Sequence, residues 1–397
     1  MITIGLFLFG VIGTLFYSGI QEETRTGASI VIVLNDLQTT ETLKLFTVAS
    51  LSTLSGGLAT LLILPRLKRR ASIKGFSRGL TRLVLFGCAV PLVILFVSAG
   101  GRLLRRTDYI AEAVQVAGIS ALAVQLAIAA VIVLGYITVS AKGAVRFWAV
   151  LMLVGYLLNF FGTGSRRLAM APLLFMVGAL LARRTRLTYW ALAAAALLSF
   201  YLLKLPLYLR GLPEHGVLPY MAQMPGFLDY EVGWESMALN ILVSFGIVGA
   251  TAYQAPPIPT DAFWASVNPL GGKAAGWYEY AADMRLNVYT PYAGVGELGN
   301  QGTIHVVIYF VIVGVLLALG DRAVLRLAAR GHGIVSLALV GMAGLFFLYS
   351  IQYNLRSSTR MLVYGVVIAM VAGMVSRYMV KRRQPAPRQA IRSRVGV

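Results

Sequence analysis

Eight arginines in the connections between apolar runs are the first place where this chain could do chemistry. Arg102, Arg105, Arg106, Arg166, Arg167, Arg285, Arg356 and Arg360 come from four separate connections between such runs. A guanidinium keeps its charge and grips phosphate or pyrophosphate oxygens through paired N–H donors. Arg356 and Arg360 are four residues apart, so on a helix they share a face. Gly162 and Gly164 precede Arg166 and let backbone N–H groups approach an anion closely. The competing account of any single one is snorkelling, with the stem in the apolar layer and the head in water.

Proton transfer needs a carboxylate or imidazole, and the same connections offer Glu214, His215, Asp229, Glu231, Glu235, Asp261, Glu279, Asp283, Glu297 and His305. Glu297 ranks first, in Val295-Gly296-Glu297-Leu298-Gly299-Asn300, a glycine-bounded turn just before an apolar run. His305 ranks second, near the start of that run. A solvated loop carboxylate and a helix-end histidine are the plainer readings of the two. No His, Cys or Asp cluster has metal-ligand spacing, and there is no Walker loop and no nucleophile elbow, so neither a metal nor a cofactor is expected. Tyr292 and the other aromatics around it could stack on sugar rings or form an interfacial belt.

The elements that must position these residues are membrane spans. Apolar residues make up 58% of the 397, and only 13% carry charge, more than a soluble domain could hide. The net charge of +20 would point to nucleic acid in a soluble chain. Here the cations sit in short blocks between apolar runs, so membrane topology accounts for them and no nucleic-acid partner is expected. Runs near spanning length fall at about 2–20, 43–64, 83–99, 119–139, 147–162, 168–182, 187–203, 302–319, 333–351 and 361–376. The first reads as a retained span, with no signal-cleavage site. With both termini cytoplasmic, 22 of the 35 basic residues lie inside, and of the 15 acidic residues only Asp321 does. The expectation is an all-α polytopic membrane protein of about ten transmembrane helices, with one large periplasmic loop containing short interfacial helices. Its parts are a seven-helix portion (1–203), the loop (204–301), a three-helix portion (302–376) and a basic tail (377–397).

Three features interrupt that layout. The loop holds three of the five tryptophans and eight tyrosines, and structureless loops of such length are uncommon without a role. Within it, Ser236 to Tyr253 reads as an interfacial or re-entrant helix. Spans five and six have only about 15 or 16 apolar residues, roughly 24 Å against a hydrocarbon core of about 30 Å, which would set Gly162–Arg167 below the surface. The tail from Lys381 reads as disordered and attracted to anionic lipid. Cys88 lies alone in an apolar run and reads as a small buried side chain.

Four stretches carry a family resemblance. They are Asn159-Phe160-Phe161-Gly162-Thr163-Gly164-Ser165-Arg166-Arg167, Asn268-Pro269-Leu270-Gly271, Tyr289-Thr290-Pro291-Tyr292 running into Gly296-Glu297, and Gln352-Tyr353-Asn354-Leu355-Arg356 before the last span. With the span layout and the late loop, the chain resembles the O-antigen polymerases, the Wzy-type oligosaccharide repeat-unit polymerases. The resemblance implies a metal-independent glycosyltransferase at the periplasmic face of the bacterial inner membrane. Its donor and acceptor would be undecaprenyl-pyrophosphate-linked oligosaccharides, with a chain-length regulator and a flippase as working partners. Arg166, Arg167, Arg285, Arg356, Arg360 and Tyr292 would bind substrate, and Glu297 or His305 would take the hydroxyl proton. The related O-antigen ligases use a loop histidine, and Pro213-Glu214-His215-Gly216 does not match their setting. A lipid-linked oligosaccharide flippase is the rival of a different class, and it would want charge along the spans themselves, where there is almost none.

Overall fold

Segments that meet lipid must satisfy their backbone internally, and helices do so within one segment. In the computed structural model every regular element among the described residues is helical, apart from an isolated antiparallel bridge between Arg106 and His215. The described residues are 2–19, 34–64, 78–108, 119–183, 185–270, 272, 274–284, 286, 292–330, 332–352 and 354–383. In chain order the helices are α1 (Ile2–Gly19), α2 (Asp36–Ile63), α3 (Arg78–Ala99), α4 (Ile119–Ser140), α5 (Ala144–Gly162), α6 (Arg166–Ala182), α7 (Arg186–Tyr201) and α8 (Lys204–Arg210). They continue with α9 (Val217–Leu228), α10 (Trp234–Tyr253), α11 (Thr260–Val267), α12 (Trp277–Tyr280), α13 (Gly294–Asn300), α14 (Thr303–Ala329), α15 (Gly333–Gln352) and α16 (Leu355–Arg383).

Seven helical stretches among the described residues are long and apolar enough to cross a membrane: α1, α2, α3 with the 3-10 turn after it, α5, α7 with α8, α14 and α16. The chain is an all-α membrane protein. Each of the ten expected runs lies in a helix. The other three lie in α4 (22 residues), α6 (17 residues) and α15 (20 residues), of which only α6 is shorter than 18 residues.

Boundaries moved where capping outweighs hydropathy. The second run was read from residue 43, yet α2 begins at Asp36. Asn35 accepts from the Gln38 N–H at 2.8 Å while the Gln38 side chain accepts from the Asn35 N–H at 3.2 Å, a reciprocal cap. Polar residues then continue into the helix because their hydroxyls bond back to carbonyls four residues earlier, Ser50 to Phe46, Thr53 to Ala49 and Thr60 to Gly56. At the other end of the chain, α16 runs through Arg383, so the first residues of the expected disordered tail are helical. Residues 384–397 lie outside the described set.

By contacts the chain divides into two compact units, Met1–Ser72 with Ser244–Val397, and Ile73–Val243. The cuts fall inside the expected segments, and the long 204–301 segment contributes to both units.

In the first unit α2 and α14 form the most extensive pair. Lipid gives helices little hydrophobic reason to associate, so close packing must do it, and small residues make that packing possible. A Cβ at Gly56 would lie 2.1 Å from the Val311 carbonyl oxygen, and one at Gly314 would lie 2.1 Å from that of Thr53. Phe46, Phe245 and Phe310 are fully buried in this unit, with Phe46 and Phe245 stacked at 5.9 Å. Gly314→Val should therefore force α2 and α14 apart at a cost of at least about 1–3 kcal/mol, the usual range for overpacking. Gly341→Val, with nothing within 4 Å of its Cβ, should be tolerated. Thermal midpoints of the two variants in detergent check this, and equal midpoints would contradict the packing account.

In the second unit α4 and α6 cross in the same way, Gly178 against the Ile132 carbonyl and Gly135 against that of Phe175. Cys88 is 6% exposed, as expected of a small buried side chain. Its carbonyl accepts from the Tyr156 hydroxyl at 2.6 Å, three residues before the helix-interior Pro91.

Candidate functional site

The N-terminal end of α16 gathers the residues that sequence reasoning singled out around the last span. Asn354 caps it, its side chain accepting from the Ser357 N–H at 2.8 Å. The next free donor, the Leu355 N–H, points at both carboxyl oxygens of Glu297 at 3.3 Å. A helix N-terminus carries partial positive charge and disfavours cations. Two guanidiniums nevertheless occupy its first turns. Arg356 and Arg360 both donate through Nη2 to the Leu270 carbonyl, Arg360 at 2.7 Å, and Arg360 Nε donates to the Pro269 carbonyl at 3.3 Å. The four-residue spacing therefore puts both on one face, as expected.

Arg356 is the anomaly. It is 2% exposed, and its Nε and Nη1 are buried with no hydrogen-bond partner among the described residues. Its guanidinium carbon lies 5.6 Å from the centre of the Trp277 ring, a weak compensation for a desolvated charge. A buried cation holding neutral carbonyls at the positive end of a helix is an arrangement that an anion would complete.

Glu297 was read as a carboxylate in a glycine-bounded turn. It lies instead in a short helix, α13, and is 1% exposed. The glycines there serve close packing. A Cβ at Gly296 would lie 2.8 Å from the Val248 carbonyl oxygen, and one at Gly299 would lie 2.7 Å from Leu45. Asn300 and Gln301 clamp the end of α13, accepting from the Ile258 N–H at 2.8 Å and donating to its carbonyl at 2.6 Å respectively. Burial pushes the Glu297 carboxyl up to about 8, against the opposing pull of the Leu355 N–H and the Ser266 hydroxyl at 3.2 Å. Nearby, the Tyr309 hydroxyl meets Ser358 at 3.3 Å and Thr359 at 3.1 Å, extending the polar cluster down the α14 and α16 faces. Ser266, Tyr309, Ser358 and Thr359 were missed by sequence reasoning, and the one hint was the hydroxyl run Ser357-Ser358-Thr359.

His305 sits in the first turn of α14, half-buried, with its ring edge-on to Phe263 at 5.4 Å and its Nδ1 buried without a partner among the described residues. Tyr292 is turned into a small core with Trp277 and Met284, and its hydroxyl donates to the Ala281 carbonyl at 2.9 Å. That is a structural contact, and the expected stacking surface for sugar is not offered by this ring. Arg285 and Tyr289 to Pro291 lie outside the described residues.

Arg166 and Arg167 belong to the second unit, at the start of α6. Ser165 caps that helix, accepting from the Arg167 N–H at 3.3 Å, and Gly164 takes the left-handed conformation (φ 59°) that the turn requires. Arg166 is exposed. Two other arginines of the expected set are engaged locally. Arg105 forms a bidentate pair with Glu214, at 2.7 and 3.1 Å, which holds the carboxyl below its ordinary range. Arg106 donates to the Gly162 carbonyl at 2.8 Å and pairs its backbone with His215. His215 is 4% exposed, and burial followed by the Arg106 charge pushes its ring below the usual histidine range.

These features define an all-α membrane protein whose described residues bring two guanidiniums to the head of α16. Comparison with protein-family models, with curated proteins and with solved structures finds no match.

Proposed function

We propose that the chain is a membrane glycosyltransferase that polymerises undecaprenyl-pyrophosphate-linked oligosaccharide repeat units at the outer face of the bacterial inner membrane. The observation that carries the reading is Arg356, a desolvated guanidinium whose Nε and Nη1 have no partner among the described residues. The acceptor's hydroxyl oxygen attacks the anomeric carbon of the donor. The bond from that carbon to the pyrophosphate oxygen breaks, and the pyrophosphate leaves with the electron pair. Arg356 and Arg360 stabilise the charge that develops on the leaving group, the largest electrostatic task in such a step. Arg166 and Arg167 supply a second cationic helix start in the other unit, fit for the pyrophosphate of a second substrate.

The hydroxyl proton goes to a base. Glu297 ranks first on sequence, but a carboxyl that is 1% exposed and protonated near neutrality is poorly placed for the work. His305 becomes the proton acceptor in this reading, and Glu297 a positioning residue that fixes the start of α16.

The same reading takes ten spans, cytoplasmic termini and the 204–301 segment on the outside. On a Cys88→Ala background, a cysteine at Thr260 should react with an impermeant maleimide in spheroplasts, and one at Ala141 should not. Labelling at Ala141 would invert the orientation. The enzyme reading itself is tested with purified protein in nanodiscs and purified lipid-linked repeat units, where a ladder of polymer and free undecaprenyl pyrophosphate should appear. Translocation of the same lipid in vesicles, without bond formation, would favour a flippase instead.

A further inference from the structure

Between α11 and α12, in the same unit as the cationic site, lies an open cleft of about 320 Å3 lined by Asp261, Trp264, Asn268, Gly276, Glu279 and Tyr280. Its size falls at the lower end of the roughly 300–1,000 Å3 of small-ligand sites. The chemistry described so far makes no use of it. Trp264 is 63% exposed, although its neighbour Phe263 is buried against the fold. Beneath the cleft, Ile258, Ala262, Ala265 and Trp277 pack into a small core, so the lining stands on a fixed base. Gly276 takes a left-handed turn (φ 65°) that starts α12 and carries Glu279 into the wall.

An aromatic face beside two carboxylates and an amide, with no lysine or arginine among the described lining residues, complements a pyranose. The C–H face of the sugar covers the indole, and its hydroxyls donate to Asp261, Asn268 and Glu279. The same carboxylates repel a uronic acid. Asn268 also joins the cleft to the cationic site, because the next two residues, Pro269 and Leu270, present the carbonyls that Arg356 and Arg360 hold. A sugar in the cleft thus lies one or two residues along the chain from the guanidiniums that would take its pyrophosphate.

We infer that this cleft is a saccharide subsite for neutral or amine-bearing pyranose residues and excludes acidic ones, an inference that rests on the glycosyltransferase reading above. The test uses full-length protein in nanodiscs on an array of defined oligosaccharides, neutral, amine-bearing and uronate-bearing, with farnesyl pyrophosphate binding measured in parallel. Wild type should bind neutral or amine-bearing members. Trp264→Ala should lose at least tenfold, and Trp264→Phe should recover most of it by restoring a ring. Asp261→Asn combined with Glu279→Gln should weaken binding and admit uronates. Arg356→Ala should lose farnesyl pyrophosphate and keep the oligosaccharides. Binding to no oligosaccharide, to uronates alone, or equally in wild type and Trp264→Ala would overturn the subsite and leave Trp264 as a membrane-interface residue. If farnesyl pyrophosphate is nevertheless bound, and lost in Arg356→Ala, only the subsite has failed. If it is not bound at all, the enzyme reading fails with it.

Discussion

Arg356→Ala is expected to cut polymer formation by about 30- to 1000-fold, the loss of roughly 2–4 kcal/mol of stabilisation on the departing pyrophosphate. The effect should fall on turnover more than on abundance. Removing a buried cation that holds only neutral carbonyls relieves a desolvation cost, so the variant should fold at least as well as wild type. Arg356→Lys should recover little, because an ammonium lacks the planar fork that reaches the Leu270 carbonyl and an anion together. Arg360→Ala should cost less, since its Nε and Nη2 already rest on the Pro269 and Leu270 carbonyls. The measurement is the initial rate of polymerisation of purified lipid-linked repeat units by protein matched for amount. Arg356→Ala at wild-type rate would return this arginine to a packing role.

His305→Gln should lose 10²–10⁴-fold, the usual cost of removing a general base, while Glu297→Gln should stay within several-fold of wild type. The pairing matters because sequence position ranks the two in the opposite order. Glu297→Gln has its own signature in stability. The carboxyl titrates at about 8 in the fold, against an ordinary value of 4.5. The folded state therefore keeps a proton that the unfolded chain has released, so this group's contribution is most favourable below about 4.5. It declines as pH rises towards about 8. A glutamine cannot titrate. The thermal midpoint of Glu297→Gln should match wild type near pH 4.5 and exceed it increasingly up to pH 8. Parallel profiles would mean that the buried carboxyl is not protonated in the fold. A dead Glu297→Gln with an active His305→Gln would restore Glu297 as the base.

The sequence by itself determined the solvent of this protein and the identity of most of its helices. Apolar runs of fixed length between basic blocks can be read without any tertiary knowledge, because a lipid core of about 30 Å imposes both the length and the composition. The face shared by Arg356 and Arg360 was equally legible, being a matter of helical period alone. Only the tertiary structure decided what surrounds them. Nothing in Val295–Asn300 reveals that Gly296 and Gly299 let α13 press against α10 and α2, and that contact is what turns Glu297 inward. Nor does the arginine count distinguish Arg105, neutralised by Glu214 109 residues away, from Arg356, whose Nε and Nη1 have no partner among the described residues. Ionisation and burial depend on partners distant in sequence. Local pattern therefore fixes which charges exist and which face they share, and packing alone fixes which of them remain unsatisfied.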